Sequence, residues 1–113
     1  MTIECESRDG VEIFHLTGRF DGSSANDAQK VLLSKADFTP LRVVLNLAGI
    51  EVITSAGLRA ILALVKKVEA NAGKLAVTGL STSTREIFEI SGFNRIIPLQ
   101  ASLESAVAQV GEV

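Results

Sequence analysis

The sequence contains no tryptophan and no tyrosine, and only one histidine, one cysteine, one methionine and two prolines. Each shortage removes a class of function. Without Trp or Tyr, and with five Phe that do not alternate with basic residues, there is no platform on which nucleic-acid bases would stack. One His and one Cys do not make a zinc-ligand cluster, so neither metal nor other cofactor is expected. A lone Cys5 closes no internal disulfide, which fits a reducing compartment. A catalytic triad around His15 would need Asp and Ser partners that nothing in the spacing supplies, and a lone histidine in a predicted strand reads as structural. The run Gly18-Arg19-Phe20-Asp21-Gly22 lacks the Lys-Ser or Lys-Thr of a phosphate-binding loop. The expectation is a protein that is not an enzyme.

Charge of one sign is also scarce. The 11 basic residues are scattered apart from Lys66-Lys67, and the formal net charge is −2. That argues against direct binding of nucleic acid or of an anionic membrane surface. No apolar run is long enough to insert in a membrane. The start, Met1-Thr2-Ile3-Glu4, has neither the basic nor the apolar region of a signal peptide. A cytoplasmic location is expected.

What remains is an ordinary globular composition, 47% hydrophobic and 21% charged over 113 residues, enough for one domain spanning 1–113 with a real core. Ile3 and Cys5 sit on one face of a first strand that turns at Asp9-Gly10 into a second, Val11 to Thr17, as an antiparallel hairpin. Gly18 to Ser24 reads as a loop in which Ser23 or Ser24 caps a helix carrying Ala25, Ala28, Val31 and Leu32 on one face. After Pro40 comes a buried strand, Leu41 to Leu47. A helix from Ser55 to about Ala72 follows, stopped at Asn71-Ala72-Gly73. Lys74 to Thr78 is a strand. Ser81 to Thr84 opens a short helix with Ile87, Phe88 and Ile90. Ile96 to Leu99 is a last strand, placed at an edge by Pro98. Ser102 to about Val110 closes the chain as a helix with Leu103, Ala106, Val107 and Val110 on one face. The order β-β-α-β-α-β-α-β-α predicts an α/β domain with a mixed, mostly parallel sheet of four or five strands and about four helices.

The stretch Ile50 to Leu62 organises the rest. Thr54 and Ser55 place adjacent hydroxyls where a predicted loop becomes a helix, and Ala56-Gly57 leaves the backbone beside them open. Ser55 reads there as an N-cap. Gly57 either admits a partner to the backbone or lets the helix pack closely on the sheet. Arg59 and Lys66 fall on the solvent face, for a partner or for water. Asp21 is either a turn residue or part of a site.

The order of elements, Asn46-Leu47 followed by Ile53-Thr54-Ser55-Ala56-Gly57-Leu58, and the earlier Thr17-Gly18-Arg19-Phe20-Asp21 resemble a STAS domain. More narrowly they resemble the bacterial anti-sigma factor antagonists, over about Ile3 to Val110. The resemblance implies a phosphoacceptor serine at Ser55, with Thr54 as second choice because it replaces the aspartate many family members have there. It implies a partner-binding surface of Asp21, Gly22, Ser23, Thr54, Ser55, Ala56, Gly57 and Arg59. The implied partners are an anti-sigma factor that is itself a serine kinase of the histidine-kinase-like ATP-binding type, and a resetting phosphatase of the PP2C type. In the implied cycle the unphosphorylated form binds the kinase and frees its target. A second role the resemblance allows is that of an unphosphorylated subunit of a membrane transport system, docked on its ATPase. A phosphate adds about −1.5 to −2 charge, so the domain would pass from −2 to roughly −4.

Overall fold

The computed structural model describes residues 1–111, so the last two residues of the expected 1–113 domain lie outside the described residues. The elements in order are β1 (Thr2–Arg8), β2 (Val11–Phe20), α1 (Ala25–Lys35), β3 (Arg42–Ile53), α2 (Ser55–Ala70), β4 (Lys74–Thr78), α3 (Thr82–Ser91), a 3-10 turn (Phe93–Arg95), β5 (Leu99–Gln100) and α4 (Leu103–Gly111). They form an α/β domain whose five-stranded sheet has the order β1-β2-β3-β4-β5. β1 and β2 are antiparallel, and every other pairing is parallel. Asp9 and Gly10, both at positive φ (54° and 78°), make the two-residue turn whose twist suits a hairpin.

Because each crossover steps to the next strand in the same direction, the right-handed rule puts α1, α2 and α3 on one face. Leu32, Ile61, Leu64 and Phe88 share a buried cluster there with Phe14, Leu45 and Val77. The opposite face is smaller. Ala106, Val107 and Val110 of α4 cover Val11, Ile13, Val44 and Ala76. The second strand therefore serves both layers: Val11 and Ile13 on one side, Phe14, Leu16 and Phe20 on the other.

Several elements depart from the sequence reading. β2 continues through Gly18, Arg19 and Phe20, and β3 continues from Leu47 to Ile53, because these residues pair with one another across two register shifts. The predicted loop Gly18–Ser24 thus shrinks to four residues. Cys5 is exposed on the edge strand. Val31 is 39% exposed and Ile90 88% exposed, so neither lies on a buried face. For Ile90 the reason is angular: α3 buries Thr84 and Phe88, and two residues beyond Phe88 is about 200° around the helix. The last strand is only Leu99–Gln100, with Pro98 just before it giving its carbonyl to the Val77 N–H at 2.9 Å. α2 ends at Ala70, and Ala72 rather than Gly73 takes the left-handed conformation (φ 53°).

His15 links the strands on either side of it. Asn46 accepts the Ala48 N–H at Oδ1 (3.1 Å), which leaves its amide N–H to donate to His15 Nδ1 (2.9 Å). The ring's other nitrogen then donates to Glu6 at 2.9 Å. Three strands are stitched together by one side chain. Among the described residues no helix is long and apolar enough to cross a membrane.

The two classes of apolar residue make opposite predictions. Leu64, fully buried in α2, should cost about 2–5 kcal/mol when replaced by Ala. Ile90→Ala should change stability by less than about 0.5 kcal/mol. Urea unfolding of both variants, with unchanged m, is the measurement, and comparable losses would contradict the layering.

Candidate functional site

The site is built by where two neighbouring strands end. Phe20 pairs with Ile53 at the last position of β2 and β3, and the Thr54 N–H donates to the Phe20 carbonyl at 3.0 Å. The chain leaves β2 into the Asp21 loop and leaves β3 directly into α2, side by side at the carboxyl ends of parallel strands. That is the usual place for ligands and partners in open α/β sheets.

Thr54 is the only residue between β3 and α2. It stays extended (φ −110°, ψ 178°) and occupies the N-cap position. Ser55 is therefore the first helical residue and not the cap, which corrects the sequence reading by one position. The main-chain bond to Phe20 holds Thr54 in the sheet, and its side chain makes no capping hydrogen bond. Its Oγ1 is buried with no hydrogen-bond partner among the described residues. Ser55, next to it, is exposed. Two adjacent hydroxyls thus have opposite access to an external catalyst.

Gly57 is buried, and a Cβ there would sit 2.6 Å from the Phe20 carbonyl oxygen and 3.0 Å from both Ile53 Cγ1 and Phe20 Cγ. Of the two readings of Gly57, close packing of α2 against the strand ends is the one the geometry displays.

The opposite wall is the Asp21 loop. Asp21 Oδ1 accepts the Ser23 N–H (3.0 Å) and the Ser23 hydroxyl (2.6 Å), and Oδ2 accepts from Arg19 Nε at 3.4 Å. Chiefly through the Ser23 hydroxyl, then the Ser23 N–H, the Asp21 carboxyl is held below its ordinary range. Ser24 stands at the N-cap of α1 but does not cap it. It donates instead to the Arg19 carbonyl (2.7 Å) and accepts the Asp21 N–H (3.1 Å). Asp21 and Ser24 between them fix the loop's shape.

Between the two walls lies a hollow of about 190 Å³ lined by Gly22, Ala25, Asn26 and Gln29 on one side and Ala56 and Arg59 on the other. Gly22, Ala56 and Arg59 were singled out from sequence, and the structure brings them together. Asn26 and Gln29 were not. The only signal available was their spacing of three on one edge of α1. Gly22, Ser23, Ser55 and Arg59 are exposed, and Asp21, Thr54 and Ala56 half-buried. Arg59 makes no ion pair among the described residues. The described residues hold no cluster of metal-ligating side chains. His15, engaged by Glu6 and Asn46, is occupied elsewhere. What the site offers is an exposed hydroxyl beside a shallow, partly charged surface.

Residues 2–106 match the family model of the STAS domain, and the chain belongs to that family. It is 36% identical over 108 residues to the Bordetella bronchiseptica protein BtrV, whose name marks it as a candidate anti-sigma factor antagonist, covering 96% of this chain and 93% of that one. An anti-sigma factor antagonist from Mycobacterium paratuberculosis superimposes with a TM-score of 0.89 at 24% identity, over 98% of this chain and 94% of its own. The Bacillus cell fate determinant SpoIIAA in its phosphorylated form shares the fold with a TM-score of 0.71 at 21% identity, over 96% and 99% of the two chains.

Two measurements probe this geometry. An exposed helical Gly→Ala change gains up to about 1 kcal/mol, but Gly57→Ala should lose about 1–3 kcal/mol because Phe20 must be pushed away. A stabilised variant in chemical denaturation would contradict the packing. For Asp21 the folded-state pKa is depressed. The loop's contribution is therefore whole above the unfolded value, about 3.9, and lost as pH falls through the folded one. The Ser23 amide resonance should report a midpoint below that value, and Asp21 titrating at or above it would overturn the loop's hydrogen bonding.

Proposed function

We propose that this protein is an anti-sigma factor antagonist that works by partner switching. Unphosphorylated, it binds an anti-sigma factor that is a serine kinase of the histidine-kinase-like type and releases that factor's target. The kinase phosphorylates Ser55, binding ends, and a PP2C-type phosphatase restores the hydroxyl. It works as a regulator rather than an enzyme, in the cytoplasm, with no direct contact to nucleic acid. The observation that carries the reading is the exposed Ser55 hydroxyl opening α2 beside a buried Thr54 hydroxyl. The 36% identity to BtrV over nearly the whole chain supports it.

The chemistry asks little of this chain. The Ser55 oxygen attacks the terminal phosphorus of ATP, the bond to the bridging oxygen breaks, ADP leaves, and the hydroxyl proton passes to a base of the kinase. This chain supplies the nucleophile in a fixed place. The partner meets Asp21, Gly22, Ser23, Ala56 and Arg59 around it. A new dianion there must be desolvated or repelled when the partner docks, which lowers affinity without altering the fold.

Mass spectrometry after incubation with ATP and the anti-sigma-type kinases of the same genome tests this. One phosphate is expected on the wild type and on Thr54→Val, and none on Ser55→Ala. A phosphate retained in Ser55→Ala and lost in Thr54→Val would move the acceptor to Thr54. No phosphate with any such kinase, together with binding to a transporter ATPase, would replace partner switching by the transport role.

A further inference from the structure

The exposed cation nearest in sequence to the proposed modification is Arg59, and it has no ion-pair partner among the described residues. It follows Ser55 by four residues on α2, so the two lie on one face of the helix, one turn apart and about 6 Å along the axis. Helical side chains lean toward the N-terminus, so the long Arg59 side chain covers the turn that begins at Ser55. Its neighbour in that turn is Ala56, a small residue that leaves the way clear, and both line the hollow shared with α1. The first turn of α2 itself holds no acidic residue and no side-chain cap.

From this arrangement we propose that Arg59 is the intramolecular counter-ion of a phosphate on Ser55, and that phosphorylation thereby withdraws Arg59 from the surface offered to a partner. This rests on the phosphorylation reading above and adds how the mark is registered. The guanidinium fork matches two phosphate oxygens, a fit an ammonium lacks. In the unmodified chain the free Arg59, flanked by the Asn26 and Gln29 amides across the hollow, is suited to an acidic group of the partner. The modification would then act twice: it adds charge where the partner docks, and it occupies the cation the partner needs. Two other cations are less well placed. Arg19 is engaged by Asp21 at 3.4 Å. Lys66 lies eleven residues beyond Ser55, about 16 Å along the helix.

The test uses the chain with phosphoserine installed at position 55 during synthesis, so that it needs no kinase. The ³¹P resonance is followed against pH in the wild type, Arg59→Gln, Arg59→Lys and Arg19→Gln. A nearby cation favours the dianion, so the second ionisation in the wild type should fall about 0.3–0.7 unit below that of Arg59→Gln. Arg59→Lys should lie between them, Arg19→Gln should match the wild type, and 1 M salt should erase most of the difference. Coincident curves for wild type and Arg59→Gln would overturn the proposal, as would an equal shift in Arg19→Gln. The broader reading fails by a different result. If the phosphoserine chain still binds the anti-sigma factor, partner switching is wrong, and the titration alone decides the counter-ion.

Discussion

The parallel pairing of β2 with β3 is the constraint on which the rest depends, because it runs on through two register shifts to Phe20 and Ile53. In a strand, a one-residue slip sends every following side chain to the other face. The first shift turns Ile50 into the core instead of its odd-numbered neighbours, and the second returns the odd series so that Ile53 points inward opposite Phe20. Phe20 ends fully buried and Ile53 4% exposed. Only with both shifts do the two strands finish level, and only then does the Thr54 N–H meet the Phe20 carbonyl. The candidate site is thus a product of the sheet. Its two walls are held by main-chain geometry and by the side chain Gly57 lacks.

That dependence also explains which parts of the fold were legible in the sequence. Helical and strand periods, together with the Asp9-Gly10 turn, are local, and they carried the element order, the hairpin and the parallel remainder. The ends of β2 and β3 are not local. Gly18 and Gly49 look like loop residues until their pairing partners are known. The cap position moved from Ser55 to Thr54 for the same reason, since a bond to Phe20, more than thirty residues earlier, decides it. The residues of the site followed a similar division. The motif from Thr54 to Arg59 marks itself by its small residues and hydroxyls. Asn26 and Gln29 are two polar residues on a polar helix edge, and they gain meaning only when α2 is set beside them. Ile90 is the converse case, an apolar residue whose type suggested burial and whose angular position denied it.

The two hydroxyls at the head of α2 make the same point at the scale of one residue. Thr54 is tied to the sheet and turns a polar atom into the interior with no partner among the described residues, an arrangement that ordinarily costs about 1–3 kcal/mol. Ser55 is exposed at the start of its helix. A site that depended on burial would use the first hydroxyl. One that must be reached by another protein requires the second.

How a phosphate on Ser55 would pass on a signal, under the function proposed above, follows from magnitudes. α2 is anchored by Leu58, Ile61, Leu64, Val65 and Val68, all buried, each contributing about 1.5–3 kcal/mol by leaving water. An anion at the helix start interacts with the dipole by about 0.3–1 kcal/mol, and favourably. The local effect is both too small to undo the packing and of the wrong sign to do so. A charge added at Ser55 therefore cannot be read inside the domain as a melted helix. It has to be read at the surface, by which groups remain available around the hollow. In the proposed cycle Arg59 is the exposed cation that would register the difference.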